Sequence, residues 1–245
     1  MSVQYNIKSD LQNTIEALRK VGICPDLSPL ENAKTSMKEI KGDFYCYCVS
    51  ELTFRNIPLS RNLPFHSRPV LSVTLDVYIR GIEMDSDDIG NPINGKDDNK
   101  YFLSICIKLE NNGNVHIDSW HLDFEPDPLG KDHKVEYIHP AFHLTHGGKK
   151  MEGLDLGQTM LLLMPRIPFA PMDVILGIDF IVANFYPKQT YFRLRADSRY
   201  RNAVKNSQDH LWKPYFMAIS SNWEKSATMS VKDSSFMQNI LPYMI

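Results

Sequence analysis

The chain has 245 residues, 43% of them hydrophobic and 23% charged, with a formal net charge of −2. Those values are ordinary for a globular protein long enough to bury a full core without staples, and a pI of about 6.4 excludes wholesale electrostatic attraction to nucleic acid. The opening MSVQYNIKSDLQ carries neither a basic nor an apolar stretch, and no run reaches the ~18 apolar residues of a membrane helix. A soluble cytoplasmic protein with no membrane partner is therefore the expectation.

In chain order, Ser9 or Asp10 is a candidate cap for a first helix running to about Lys20. Leu11, Ile15 and Leu18 recur there at helical spacing, and Gly22 suits its end. A short second helix fits residues 30–39. The texture then changes to strands. Residues 44–54 are rich in aromatic and β-branched side chains. Residues 58–69, around Arg61 and Asn62, read as a connection. Along 70–82 the apolar residues Leu71, Val73, Leu75, Val77 and Ile79 alternate. In 101–109, Phe102, Ser104, Cys106 and Lys108 lie opposite Leu103, Ile105, Ile107 and Leu109. Asn111-Asn112-Gly113-Asn114 is a hairpin turn signal, and 115–124 is the return strand. Three strands joined this way predict an antiparallel meander.

The loop 84–100 is acidic, but a calcium loop of the EF-hand type needs a glutamate where Lys96 stands. A solvated loop is the reading adopted. A short strand fits 135–138. Pro171 and Asp173 suit the start of an apolar helix over 172–185, and Pro187 its end. Residues 200–223 read as further helix, split at Pro214, and 226–245 as a tail. Helix, antiparallel strands, then helices is the α+β pattern: a meander sheet with an N-terminal helix and a C-terminal helical layer. One domain over 1–245 is expected, with an N-terminal helical segment (1–43), the sheet (44–146), helices (165–225) and the tail.

The four cysteines, Cys24, Cys46, Cys48 and Cys106, include no CxxC. They read as reduced, mostly buried thiols, with Cys46 and Cys48 sharing a strand face. Histidine placement is more distinctive. His116, His121, His133, His139, His143 and His146 fall within one stretch, interleaved with Asp118, Asp123, Glu125 and Asp127. Such clusters can hold zinc or iron, and His116, His121, His139 and His143 are the candidate ligands of a divalent metal. The spacing argues against it. His139 and His143 on one strand would stand about 13 Å apart at ~3.3 Å per residue, and His116 and His121 would face opposite sides. No cofactor is the working expectation.

His146-Gly147-Gly148 ends a strand at a turn where glycine N–H groups could cradle an anion. GxGxxG and GxxxxGK[ST] are absent, as is GxSxG. Asp179, inside the apolar helix, needs a partner, and Arg166 is the candidate. The segment 188–213 carries seven basic residues, among them Arg195, Arg199 and Arg201, against two acidic ones, Asp197 and Asp209. With Tyr191, Phe192, Tyr200 and Trp212 interleaved, it has the composition of a nucleic-acid surface, or equally of a solvated helix face.

One stretch resembles a known family. The strand 116–124 leads to Pro126-Asp127-Pro128, and Lys134-Val135-Glu136-Tyr137-Ile138 leads to His139-Pro140. A helix after Pro171 then ends at Tyr186-Pro187. This order is similar to that of the ubiquitin-conjugating E2 fold over about 70 residues. Ala141 stands where that family has the asparagine of its His-Pro-Asn motif, and no cysteine follows Cys106. The resemblance therefore implies a conjugation-dead relative that binds partners without forming thioesters. The run Pro-Arg-Ile-Pro-Phe-Ala-Pro-Met-Asp from Pro165 to Asp173 also resembles stretches of uncharacterised bacterial proteins. The leading expectation is a non-enzymatic protein-interaction module of an intracellular, bacterial assembly. Its rivals are a metal-dependent hydrolase or nuclease built on the histidine region and a nucleic-acid binder built on the basic segment.

Overall fold

The computed structural model describes residues 7–40, 44–58, 70–80, 101–125, 139–154 and 166–224. Two helices open it, α1 (Ile7–Val21) and α2 (Ser28–Ser36). Strands β1 (Lys38–Ile40), β2 (Phe44–Phe54), β3 (Val70–Arg80), β4 (Tyr101–Asn111), β5 (Asn114–Phe124) and β6 (Phe142–His146) follow. A 3-10 turn (Lys149–Met151) comes before the short β7 (Ile167–Pro168). Four helices end the described residues: α3 (Val174–Phe185), α4 (Lys188–Arg195), α5 (Ser198–Ser207) and α6 (Lys213–Glu224).

The strands form one sheet in the order β1 to β7, each antiparallel to the next. The fold is thus α+β, and the meander extends well past the three strands legible in sequence. The β4–β5 turn takes the form its residues suggest: Asn112 and Gly113 both have positive φ, 50° and 81°, as a two-residue hairpin of type I′ requires. In β2 a one-residue bulge separates Val49, opposite Val77, from Leu52, opposite Leu75. The extra residue lets both Val49 and Leu52 point inward despite their odd spacing. Glu51 takes the strained place with φ 59°, and its N–H donates to Asp76 Oδ1 at 2.7 Å.

The inner face of the sheet carries Tyr47, Val49, Leu52, Phe54, Val73, Leu75, Val77, Ile79, Leu103, Ile105 and Leu122, all buried. Helix α3 lies directly on it. A Cβ at Gly177 would come within 3.2 Å of Leu75 and Leu103, so glycine permits that close approach. The helix also packs on α4 and α5, which explains why it is apolar nearly all round. Asp173 caps it, accepting from Leu176 N at 2.8 Å and from Ser207 Oγ at 2.6 Å. Tyr101 Oη donates to Met172 O at 2.7 Å and accepts from Met172 N at 3.0 Å, pinning β4 to the start of α3.

Several expectations are corrected. α1 begins at Ile7, so Ser9 and Asp10 sit inside its first turn and are not caps. Asp10 is instead buried and accepts from Asn206 Nδ2 of α5 at 3.0 Å. The second helix stops at Ser36 because the chain at Lys38 enters β1 and pairs with β2. A helix over 188–195 was not legible. Its basic surface face hid a start at Pro187, and Asp197, accepting from Arg199 N at 3.0 Å, caps the next. The break at Pro214 is a π-helical turn, Gln208–Trp212. The widened turn stands just ahead of a ring that cannot follow a regular α-helical turn. Asp179 pairs with Arg195, not Arg166: two bonds of 2.8 and 2.5 Å join them. Of the four free cysteines only Cys24 is buried; Cys48 is exposed, and Cys46 and Cys106 are half-buried. Cys46 and Cys48 do share a face, the one opposite the core.

The connection around Arg61 and Asn62, the acidic loop 84–100, the strand 135–138 with His133, and the tail 226–245 lie outside the described residues. Among the described residues, no helix is long and apolar enough to cross a membrane.

Candidate functional site

Period-two alternation puts a second set of side chains on the outer face of the sheet. Register aligns them in rows. Tyr78, Phe102, Asp123 and His143 form one, and Asp76, Ser104, His121 and Thr145 the next. Cys106 and Ser119 form a third beside Thr74. After β6 the chain first stays beside β5, with Gly147 N donating to Ser119 O at 2.7 Å. Gly147 and Gly148 then turn with φ of 100° and 88°, and Lys150 Nζ reaches Asp76 Oδ2 at 3.2 Å. The turn is thereby tied down over the outer face. Between them lies a cleft of about 550 Å³, lined by Phe102, Ser104, Ser119, His121 and the turn from Gly147 to Lys150.

His121 is the polar centre of the cleft. Its Nε2 meets Asp123 Oδ2 at 3.0 Å, two residues along the same strand face. That hydrogen bond, with the Asp123 charge and the neighbouring Gly147 carbonyl, raises the pKa of the imidazole against the cost of burial. Its other nitrogen, Nδ1, is buried and makes no well-formed hydrogen bond to a described residue, the Gly147 backbone acting on the ring only weakly. A Cβ at Gly148 would stand 3.0 Å from that atom. Glycine is required twice here, for its positive φ and for the ring it must clear. Thr145 Oγ1, opposite His121 on β6, is likewise buried and unbonded among the described residues.

A second histidine pair adjoins this row. His139 and His143 are both buried, with ring centroids 5.2 Å apart and edge-to-face. The wide separation expected for one continuous strand does not occur, because β6 begins only at Phe142 and the chain bends at Ala141. His143 Nδ1 lies 2.9 Å from Pro140 O. A carbonyl only accepts, so Nδ1 carries the proton. Burial lowers the pKa of both rings, and the charge of Arg166 adds to it. Arg166 also acts on His121. It reaches this neighbourhood because β7 pairs with β6, Pro168 standing opposite His143.

The remaining candidates are elsewhere. His146 faces the other way, bonded to Asp118 at 2.5 Å and set against the Trp120 ring. His116 is exposed toward the far end of β5, opposite Leu109. The structure therefore gathers His121, His139 and His143 and separates His116 and His146 from them. Among the described residues no three His, Cys, Asp or Glu side chains converge in a way that could hold a metal ion.

The basic segment is largely engaged with the protein itself. Arg195 binds Asp179, and Arg193 donates to the Val21 carbonyl at the end of α1. Arg199 meets Glu16 at 2.5 Å, Arg201 donates to the Arg195 and Ala196 carbonyls, and Lys205 meets Asp209 at 3.0 Å. Five of its seven cations are thus held by carboxylates or by helix-end carbonyls.

Sequence reasoning singled out Gly147 and Gly148 but missed Lys149, Lys150, Ser104, Ser119 and Phe102 beside them. Two signals were present. Two lysines directly follow the glycine pair, and one phenylalanine interrupts an otherwise polar alternation along 102–108. Together, fold and site define an α+β protein whose antiparallel meander carries a histidine- and lysine-lined cleft on the face away from its helices. No family model matches the chain, and no curated protein or solved structure matches it.

Proposed function

We propose that this protein binds a small phosphate-bearing ligand in the outer-face cleft. The observation that carries the reading is His121 Nδ1, a buried donor with no well-formed hydrogen bond among the described residues, on a ring that Asp123 favours in its charged form. A buried polar atom left unbonded costs roughly 1–3 kcal/mol. An anion at this point removes that cost and meets the positive charge of Lys149, Lys150 being already paired with Asp76. Binding is the role assigned; a His–Asp pair with a proton to donate is also the arrangement of a general acid. In calorimetric titration with pyrophosphate, His121→Gln is expected to weaken binding about tenfold, the worth of one charge-assisted hydrogen bond. Lys149→Gln, on an exposed side chain that leaves the fold undisturbed, is expected to weaken it by a smaller factor. Wild-type affinity is expected to fall as pH rises and His121 loses its charge. No binding by the wild type, or equal binding by both variants, would remove the reading.

A second reading, the partner-binding module, is favoured by a separate observation. Phe192 on α4 and Phe216 and Met217 on α6 are 62%, 52% and 57% exposed. The order of helix, meander and proline-started helix is also the one that motivates the likeness to the ubiquitin-conjugating fold. Under this reading Phe216→Ser with Met217→Ser abolishes capture of a partner by the tagged chain, while His121→Gln leaves capture intact. The reverse pattern would return the assignment to the cleft.

A further inference from the structure

We propose that the ligand of the cleft is a nucleotide, its base stacked on Phe102 and its phosphate held at His121 and the Gly147–Lys150 turn. The inference rests on the phosphate-binding reading and adds the part of the ligand that reading leaves open.

The outer face inverts the usual distribution of polarity. Ser104 and Ser119 are covered, at 2% and 1% exposure, while Phe102 beside them stands 39% open and lines the cleft. Packing alone would place the ring under the turn and leave the hydroxyls in water. The core has no use for Phe102, since its neighbour Leu103 fills the inner face. An aromatic ring at the mouth of a cleft that also presents His121 and Lys149 is the composition of a site that reads a flat, π-faced group attached to an anion.

The spacing agrees. Phe102 stands opposite Asp123 and Ser104 opposite His121, so Phe102 and His121 are diagonal neighbours on one sheet face. Such neighbours lie about 7–8 Å apart, a span that a ribose bridges between its base and its 5′-phosphate. The cleft volume of about 550 Å³ falls inside the range of roughly 300–1,000 Å³ for small-molecule sites. Its lining is divided as the ligand is, with Phe102 at one end and the histidine, lysines and serine hydroxyls at the other.

The test titrates the full chain with AMP, UMP, ribose 5-phosphate and adenosine, in the wild type and in Phe102→Ala and Phe102→Leu. At least one nucleotide is expected to bind about tenfold or more tightly than ribose 5-phosphate, the increment of one stacked base. Phe102→Ala is expected to bring that nucleotide down to the level of ribose 5-phosphate while leaving ribose 5-phosphate itself unchanged. Phe102→Leu, which keeps the apolar bulk without the π-face, is expected to behave as Phe102→Ala does. Equal binding of nucleotides and ribose 5-phosphate by the wild type, or nucleotide binding indifferent to Phe102, overturns the inference and leaves the phosphate reading standing. Binding of none of the phosphorylated probes overturns both. A single-stranded oligonucleotide of ten residues separates the two sources of the group. Much tighter binding per site than the mononucleotide shows a unit read within a strand, and comparable binding shows a free nucleotide.

Discussion

Arg195→Ala is expected to lower the unfolding free energy by about 3 kcal/mol, read from the midpoint of urea denaturation. Arg195 reaches across from α4 to the Asp179 carboxylate with bonds of 2.8 and 2.5 Å, and Tyr200 Oη of α5 donates to the same group at 3.2 Å. The Asp179 side chain is only 12% exposed and that of Arg195 25%. Removing the arginine leaves a nearly buried carboxylate with one neutral donor, which costs far more than the loss of a surface pair. The same change strips the guanidinium from the Tyr191 ring, 5.3 Å away. Asp179→Asn is expected to cost less, because it removes the buried negative charge and keeps an oxygen that accepts. Arg195→Met with Asp179→Leu is expected to recover much of the loss, since an apolar pair of similar volume needs no desolvation of charge. If Arg195→Ala moves the midpoint no more than an exposed substitution such as Lys205→Ala, the ion pair does not join the three helices as described.

Stability is expected to peak near pH 6.5, with opposite limbs set by different histidines. Asp123 raises the pKa of His121 above its ordinary value of 6.5. A raised base contributes stability fully below the unfolded value and loses it as pH climbs through the folded one. His139 and His143 act with the reverse sign. Burial lowers both, helped by Arg166 and opposed at His143 by Asp123. The unfolded chain therefore takes up their protons first as pH falls below about 6.5, and the native state is destabilised there. Each limb has a limiting slope of about 1.4 kcal/mol per pH unit for each proton exchanged. In thermal unfolding followed from pH 8 to pH 5, His121→Gln is expected to flatten the alkaline limb and His143→Gln the acid limb. Variants that leave both limbs unchanged would show that these rings titrate as free histidine does.

The two predictions draw on what was hidden and what was plain in the chain. Alternation along 70–79 and 102–109, and the Asn112-Gly113 turn, marked the central strands with nearly correct limits. Pro171, Asp173 and Pro187 marked the ends of α3. These are local signals. A strand's two faces, a turn that needs positive φ and a helix cap are each decided within a few residues. The α+β class followed from their order alone.

What sequence could not supply was every relation between distant residues. Asp179 announced its need for a partner, but Arg166 is nearer to it in the chain and Arg195 is nearer in space, because α4 folds back beside α3. One straight strand would set histidines 139 and 143 well apart, and the bend at Ala141 brings their rings to 5.2 Å. His146, next in the run, is turned away by the same period of two that unites His121 with Asp123. The cleft needs β3, β4, β5 and the turn after β6 at once, and no local pattern relates Asp76 to Lys150 or Phe102 to Gly148. The sequence by itself determined the central strands, helices α1 and α3, the class and the inner face, since those depend on periodicity and short-range sterics. The tertiary structure alone decided which polar side chains meet and which stay unpaired. Strand register and chain reversal set those distances, and neither is written in any short stretch of residues.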